Sequence, residues 1–138
     1  MKADALLSPV MIVDDDDNDA LLAARCLKQA GVKNPLLHFR SGADAFQFLR
    51  KFCSGESGTK RLPCLMLLDV NMSELSGFDV LLWARQQPEL KPMKIFVLSG
   101  ASEEHDARIA AKLGADEYLQ KFPQPAAFAQ LVANAVTE

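Results

Sequence analysis

The chain has little of what marks a secreted, membrane-spanning or nucleic-acid-binding protein. Its three cysteines, Cys26, Cys53 and Cys64, are odd in number and form no Cys-x-x-Cys pair, which argues against both a disulfide framework and a zinc site. Reduced, mostly buried thiols are expected. No apolar run is longer than a strand, and the opening MKADALLSPV lacks a signal-peptide core. No membrane insertion is therefore expected, and a cytoplasmic location is the default. Lys and Arg are scattered rather than clustered, so direct contact with nucleic acid is not expected. There are two histidines, and neither His38 nor His105 has a triad partner in view. His38 reads as a satisfied core or rim histidine inside an apolar run, and His105 as part of a solvated helix face beside Glu103 and Glu104. Neither a G-x-S-x-G elbow nor a P-loop occurs.

What is there is the material of one ordinary globular domain over residues 1–138. With 49% hydrophobic residues, a chain of this length buries about two-thirds of its unfolded surface without help from disulfides. Its net charge of -3 is misleading as an average. Asp14, Asp15, Asp16, Asp17 and Asp19 fall within a six-residue stretch, and without those five the remainder stands at +2.

Four short apolar runs read as buried strands: Val10 to Val13, Leu36 to Phe39, Cys64 to Leu68 and Ile95 to Leu98, with a weaker fifth from Glu117 to Gln120. Near-continuous hydrophobicity suits a parallel sheet covered on both faces. Helix-length segments alternate with them, at about Asn18 to Ala30, Gly42 to Phe52, Gly77 to Gln87, Glu103 to Leu113 and Pro125 to Val136. Ala45, Phe48, Leu49 and Phe52 follow the i, i+3, i+4, i+7 spacing of a buried helix face, as do Phe128, Leu131, Val132 and Ala135. Ser41 with Asp44 makes a helix start, and Gly31, Gly114 and Pro88 stand where helices should stop. The pattern is βα repeated five times, an α/β doubly wound domain whose only long loop is Cys53 to Arg61.

In such a domain right-handed crossovers bring every strand's C-terminal end to one edge, and ligands bind outside that edge. The strands run into Asp14-Asp15, Asp69, Ser99 and Lys121. Gathered acids repel one another, and a hard divalent cation that keeps waters for a phosphoryl group relieves this, which favours magnesium. Asp69 is the candidate nucleophile, with Lys121 countering charge and Ser99 donating a hydrogen bond. Asp16, Asp17 and Asp19 read instead as a solvated helix start interacting with the helix dipole. An EF-hand is excluded, because a loop beginning at Asp15 puts Ala20 at the glycine position and Cys26 at that of the bidentate glutamate.

The segments MIVDDDDND, LMLLDVNMSELSG, FVLSGAS and GADEYLQK together resemble the response-regulator receiver domains of two-component phosphorelay signalling, over a core of about residues 10–132. The resemblance implies a flavodoxin-like (βα)5 fold with strand order 2-1-3-4-5, and phosphorylation of Asp69 by a sensor histidine kinase or histidine phosphotransfer protein. It further implies magnesium on Asp15, Asp69 and the main-chain carbonyl of Asn71, with Asp14 acting through water. Ser99 and Tyr118 match the switch residues. Output would come through a separate effector protein, by way of a surface over the fourth helix, fifth strand and fifth helix.

There are departures from the pattern. Ser73 stands where proline is usual, which implies a less rigid loop after Asp69. Small Ala101 implies an acceptor open to water. Lys121 is followed by Phe122 and only then by Pro123. A non-proline cis bond costs about 3 kcal/mol, so trans is expected at Lys121-Phe122, leaving Phe122-Pro123 as the bond where cis is admissible. Two other readings compete. One is a phosphate-independent interaction module. The other is an aspartyl-phosphate phosphatase, opposed by Asn71 where a second acid would protonate the leaving group and by an acidic pair that precedes the nucleophile.

Overall fold

A computed structural model describes residues 8–58, 60–72, 76–100 and 104–136. The elements alternate along the chain: β1 Val10–Val13, α1 Asp17–Gln29, β2 Leu36–Phe39, α2 Gly42–Ser54, β3 Leu65–Asp69 and α3 Gly77–Arg85 come first. A 3₁₀ turn, Pro88–Leu90, then leads to β4 Lys94–Ser99, α4 Glu104–Leu113, β5 Glu117–Gln120 and α5 Pro125–Val136. All strand pairings are parallel, in the order β2-β1-β3-β4-β5. This is the flavodoxin-like arrangement expected from the sequence.

Alternation along the strands divides the core into two layers. Met11, Val13, Met66, Leu68, Ile95 and Val97 pack with Ala45 and Leu49 of α2, Val80, Leu81 and Ala84 of α3 and Ala110 of α4. Val10, Ile12, Leu65, Leu67, Phe96 and Leu98 pack on the other face with Ala20, Ala23 and Leu27 of α1 and Phe128 and Val132 of α5. β1 and β3 are buried throughout, as near-continuous hydrophobicity requires of central parallel strands.

β2 differs from the expectation of a buried strand. It lies at the edge of the sheet, half-buried, with the His38 side open to solvent. Three of its four residues are apolar, but it has only one neighbouring strand. The three thiols are also half-buried rather than buried, and none of them forms a disulfide. The expectations for Ser73 and Ala101 concern positions outside the described residues.

Local chemistry sets the element ends. The Asp44 amide donates to Ser41 Oγ at 3.0 Å, capping α2. Gly114 ends α4 at φ +105°, and a Cβ there would also run into Arg85 Cγ at 2.6 Å. Arg85 needs that approach, because its guanidinium donates to the carbonyls of Gly114 at 2.8 Å and Met93 at 3.0 Å, and to Asp116 Oδ2 at 2.8 Å. It ties the end of α3 to the start of β4 and the α4–β5 turn.

Gly77, the first residue of α3, is confined by space rather than by backbone angle. A Cβ there would lie 2.7 Å from Val70 Cα and 2.9 Å from the Asp69 carbonyl carbon, and closer still to its oxygen. Gly77→Ala should therefore push α3 off the end of β3 and cost about 1–3 kcal/mol, as overpacking against fixed backbone does. Urea unfolding at neutral pH measures this, and a midpoint equal to that of the wild type would contradict it.

Candidate phosphoryl-acceptor site

The C-terminal strand ends converge as the topology requires. Asp69 ends β3 and Ser99 ends β4, and both are buried, as is Asp14 just beyond β1. Asp15 is exposed beside them. One carboxylate oxygen from each of Asp14, Asp15 and Asp69 lies within 4.8 Å of the others. Lys121 follows β5, and its amide donates to the Ser99 carbonyl at 2.7 Å.

Strand alternation also sorts these residues by face. Asp69 has the parity of Leu65 and Leu67, and Asp14 that of Val10 and Ile12, which puts both toward α1 and α5. Lys121, two residues after Leu119, shares that side. Ser99 has the parity of Ile95 and Val97 and faces the opposite layer, where half-buried Tyr118 also packs. The carboxylates and the ammonium are thus on one side, and the hydroxyl and aromatic groups on the other.

Asp14 and Asp69 are oriented by the backbone that follows them. Asp14 Oδ1 accepts from the Asp16 amide at 2.9 Å, and Asp69 Oδ1 from the Asn71 amide at 3.1 Å. His38 Nε2 lies 2.9 Å from the Asp14 carbonyl oxygen. A carbonyl can only accept, so the proton is on Nε2. His38 is thus the rim histidine expected, and it steadies the turn that carries Asp14.

Lys121 is the cation of the site. Its Nζ donates to Asp14 Oδ2 at 2.8 Å and to Asp19 Oδ2 at 3.0 Å, and lies 3.6 Å from Asp69 Oδ1. The Lys121-Phe122 bond is cis, which corrects the expectation of trans. The preference of an isolated peptide does not decide the matter at a residue whose amide is held on β4 and whose side chain is held by carboxylates.

Asp19 is the residue that reading the sequence missed. Asp16 and Asp17 behave as a solvated helix start: the Asp16 carboxylate caps α1, and Asp17 pairs with Arg40 on the surface. Asp19 does not, since it points inward to Lys121. The signal was present in the spacing, because Asp19, Ala23 and Leu27 recur every four residues, and the latter two are buried.

Burial dominates the Asp69 carboxyl and raises its pKa. The Asn71 amide and Lys121 pull the value down, while Asp14 and Asp15 add to the rise. For Lys121 burial works against the charged form. Hydrogen bonds to Asp14 and Asp19, with the charges of Asp69 and Asp14, outweigh it, and the ammonium pKa is raised. Three carboxylates, those of Asp14, Asp19 and Asp69, thus face one ammonium, with Asp15 grouped beside Asp14 and Asp69. A donor set of clustered carboxylate oxygens, with no thiol or imidazole among them, fits a hard divalent cation.

A cavity of about 490 Å³ beside Ser8, Arg61, Cys64 and Lys94 lies at the opposite, N-terminal edge of the sheet and takes no part in this site. Among the described residues no helix is long and apolar enough to cross a membrane.

Comparison with known proteins identifies the family and the fold. The model of the response regulator receiver domain matches residues 10–133. The response regulator Rcp1 of a Synechocystis species is 31% identical over 112 residues, covering 81% of this chain and 75% of Rcp1. The crystal structure of the Mn²⁺-bound form of Rcp1 superimposes with a TM-score of 0.72 at 28% identity, over 92% of this chain and 90% of that one. The phosphorylated cyanobacterial phytochrome response regulator RcpA gives a TM-score of 0.75 at 27% identity, covering 93% and 90%.

Proposed function

The chain belongs to the response regulator receiver domains of two-component systems, and on that footing we propose that Asp69 accepts a phosphoryl group from a phosphohistidine of a sensor kinase or phosphotransfer protein. The observation that carries this reading is the setting of Asp69: a buried carboxylate at a strand end, 3.6 Å from the Lys121 ammonium and grouped with Asp14 and Asp15. Asp15, Asp69 and the Asn71 carbonyl would hold magnesium, with Asp14 acting through water. When bound, the metal supplies positive charge that stabilises the phosphoryl oxygens.

The step is a displacement. A carboxylate oxygen of Asp69 forms a bond to phosphorus as the phosphorus–nitrogen bond of the donor breaks, and the electron pair leaves with the imidazole. Lys121 counters charge on the transferred group. Ser99 donates its hydroxyl to a phosphoryl oxygen, and the Tyr118 ring on the same face follows, altering the surface of α4, β5 and α5 that a separate effector protein reads. Asp69 is a stoichiometric acceptor, and the chain catalyses only its own phosphorylation and dephosphorylation.

Intact mass after incubation with acetyl phosphate and magnesium tests the reading. A gain of one phosphoryl group that Asp69→Asn abolishes is the expected result, and no gain by the wild type would overturn it.

A further inference from the structure

An ammonium has three N–H donors, and two of those of Lys121 are used before any phosphoryl group arrives. Asp14 at 2.8 Å and Asp19 at 3.0 Å are within hydrogen-bond range, whereas Asp69, the proposed acceptor, stands off at 3.6 Å. Asp14 comes from the turn after β1 that also carries Asp15. Asp19 comes from elsewhere, in the first turn of α1, where its amide donates to the capping Asp16 carboxylate at 3.0 Å. The buried stripe of Ala20, Ala23 and Leu27 fixes that turn against the sheet. The Asp19 carboxylate therefore sits on a rigid element, 102 residues away in sequence from the ammonium it holds.

We infer that Asp19 is a positioning residue that draws the Lys121 ammonium toward α1 and so competes with a phosphoryl group on Asp69 for the same cation. The inference rests on the proposed acceptor role of Asp69. Lys121 is 9% exposed and the Asp19 side chain 34%. The pull is therefore partly screened on the Asp19 side and hardly at all on the Lys121 side. A phosphoryl group brings oxygens that need a donor where Lys121 now makes no hydrogen bond. One N–H remains to serve them, and moving the ammonium toward them stretches its bond to Asp19. Asp19 thereby sets the balance between the resting and phosphorylated states without touching the reacting atoms.

The test uses beryllofluoride, a phosphoryl analogue that binds a carboxylate, with magnesium present. Asp19→Ala should bind it about fivefold more tightly than the wild type, the low end of ordinary coupling between sites because Asp19 is partly screened. In a Lys121→Met background the same substitution should change affinity by less than about twofold, since the competition acts only through the ammonium. An equal gain in both backgrounds would assign the effect to net charge and overturn the inference, as would no gain at all.

A ligand-free structure of Asp19→Ala gives a readout that needs no second substitution. Lys121 Nζ should close to hydrogen-bond distance from Asp69 Oδ1, and an unmoved ammonium overturns the inference. Wild type that binds the analogue while Asp19→Ala binds it no better defeats this inference alone. Wild type that takes up neither analogue nor phosphoryl group defeats the proposed function and this inference together.

Discussion

Lys121→Met should destabilise the metal-free protein by about 3 kcal/mol at neutral pH, the scale expected when one partner of a buried charge pair is removed and the other is left. The reason is the imbalance around it. Asp14 and Asp69 are 5 and 6% exposed in their side chains and Lys121 is 9% exposed, so the two carboxylates would remain out of water with no cation between them. Methionine keeps the length of the stem and most of its packing, which makes the loss electrostatic. Urea unfolding in a chelating buffer measures it, and a difference under about 1 kcal/mol would show that water already screens the site. Adding Asp14→Asn to Lys121→Met should recover part of the loss, because one of the stranded charges goes with it. The raised pKa of Lys121 fixes the pH window. The ammonium's contribution is full below the unfolded-state lysine value, about 10.4, and fades as pH rises through the higher folded value. The gap between the two proteins should thus hold through neutrality and close under alkaline conditions, and also in acid, where the stranded carboxylates are protonated. Magnesium should narrow it at any pH where the carboxylates are ionised, since it replaces the missing charge.

How far the sequence could be read depended on whether a residue's place is set by its own strand or by a distant element. Asp69, Asp14 and Ser99 follow directly from apolar runs whose ends must meet on one edge. The exact limits of β5 and α5 follow as well, because Glu117 to Gln120 and Pro125 to Val136 are bounded by turn and helix-start chemistry that acts over one or two residues. β2 was mistaken for a buried strand because composition records how apolar a segment is and not how many neighbours it has. Asp19 was read as solvated for a related reason. Beside Asp16 and Asp17 it looks like one more acid at a helix start, and only the four-residue spacing to Ala23 and Leu27 sets it apart. The peptide after Lys121 was beyond reach altogether. Its geometry accompanies a lysine held at both ends by partners far away in the chain, Ser99 at the backbone and Asp14 and Asp19 at the ammonium.

Asp69→Asn should raise the stability of the metal-free protein while removing its capacity to be phosphorylated. The carboxyl is buried with Asp14 and Asp15 near it, and together these outweigh the help of Lys121 and the Asn71 amide, so the fold holds its pKa above the ordinary value. A group whose pKa is raised on folding binds protons more readily in the native state than in the unfolded one. Native stability therefore falls as pH rises from the unfolded carboxyl value, about 3.9, through the folded one. Asparagine has no such proton to lose. The advantage of Asp69→Asn should be absent below that window and complete above it, and thermal unfolding of both proteins in chelator across the acid-to-neutral range would show their melting temperatures diverge. Parallel curves would mean that Asp69 is as well solvated in the fold as out of it. Saturating magnesium should reverse the order at neutral pH, because a ligand that binds only the native state stabilises in proportion to its affinity, and the variant has one carboxylate fewer to offer. Under the proposed function, the instability that ionised Asp69 brings to the fold is the same property that would ready it to take up a cation and then a phosphoryl group.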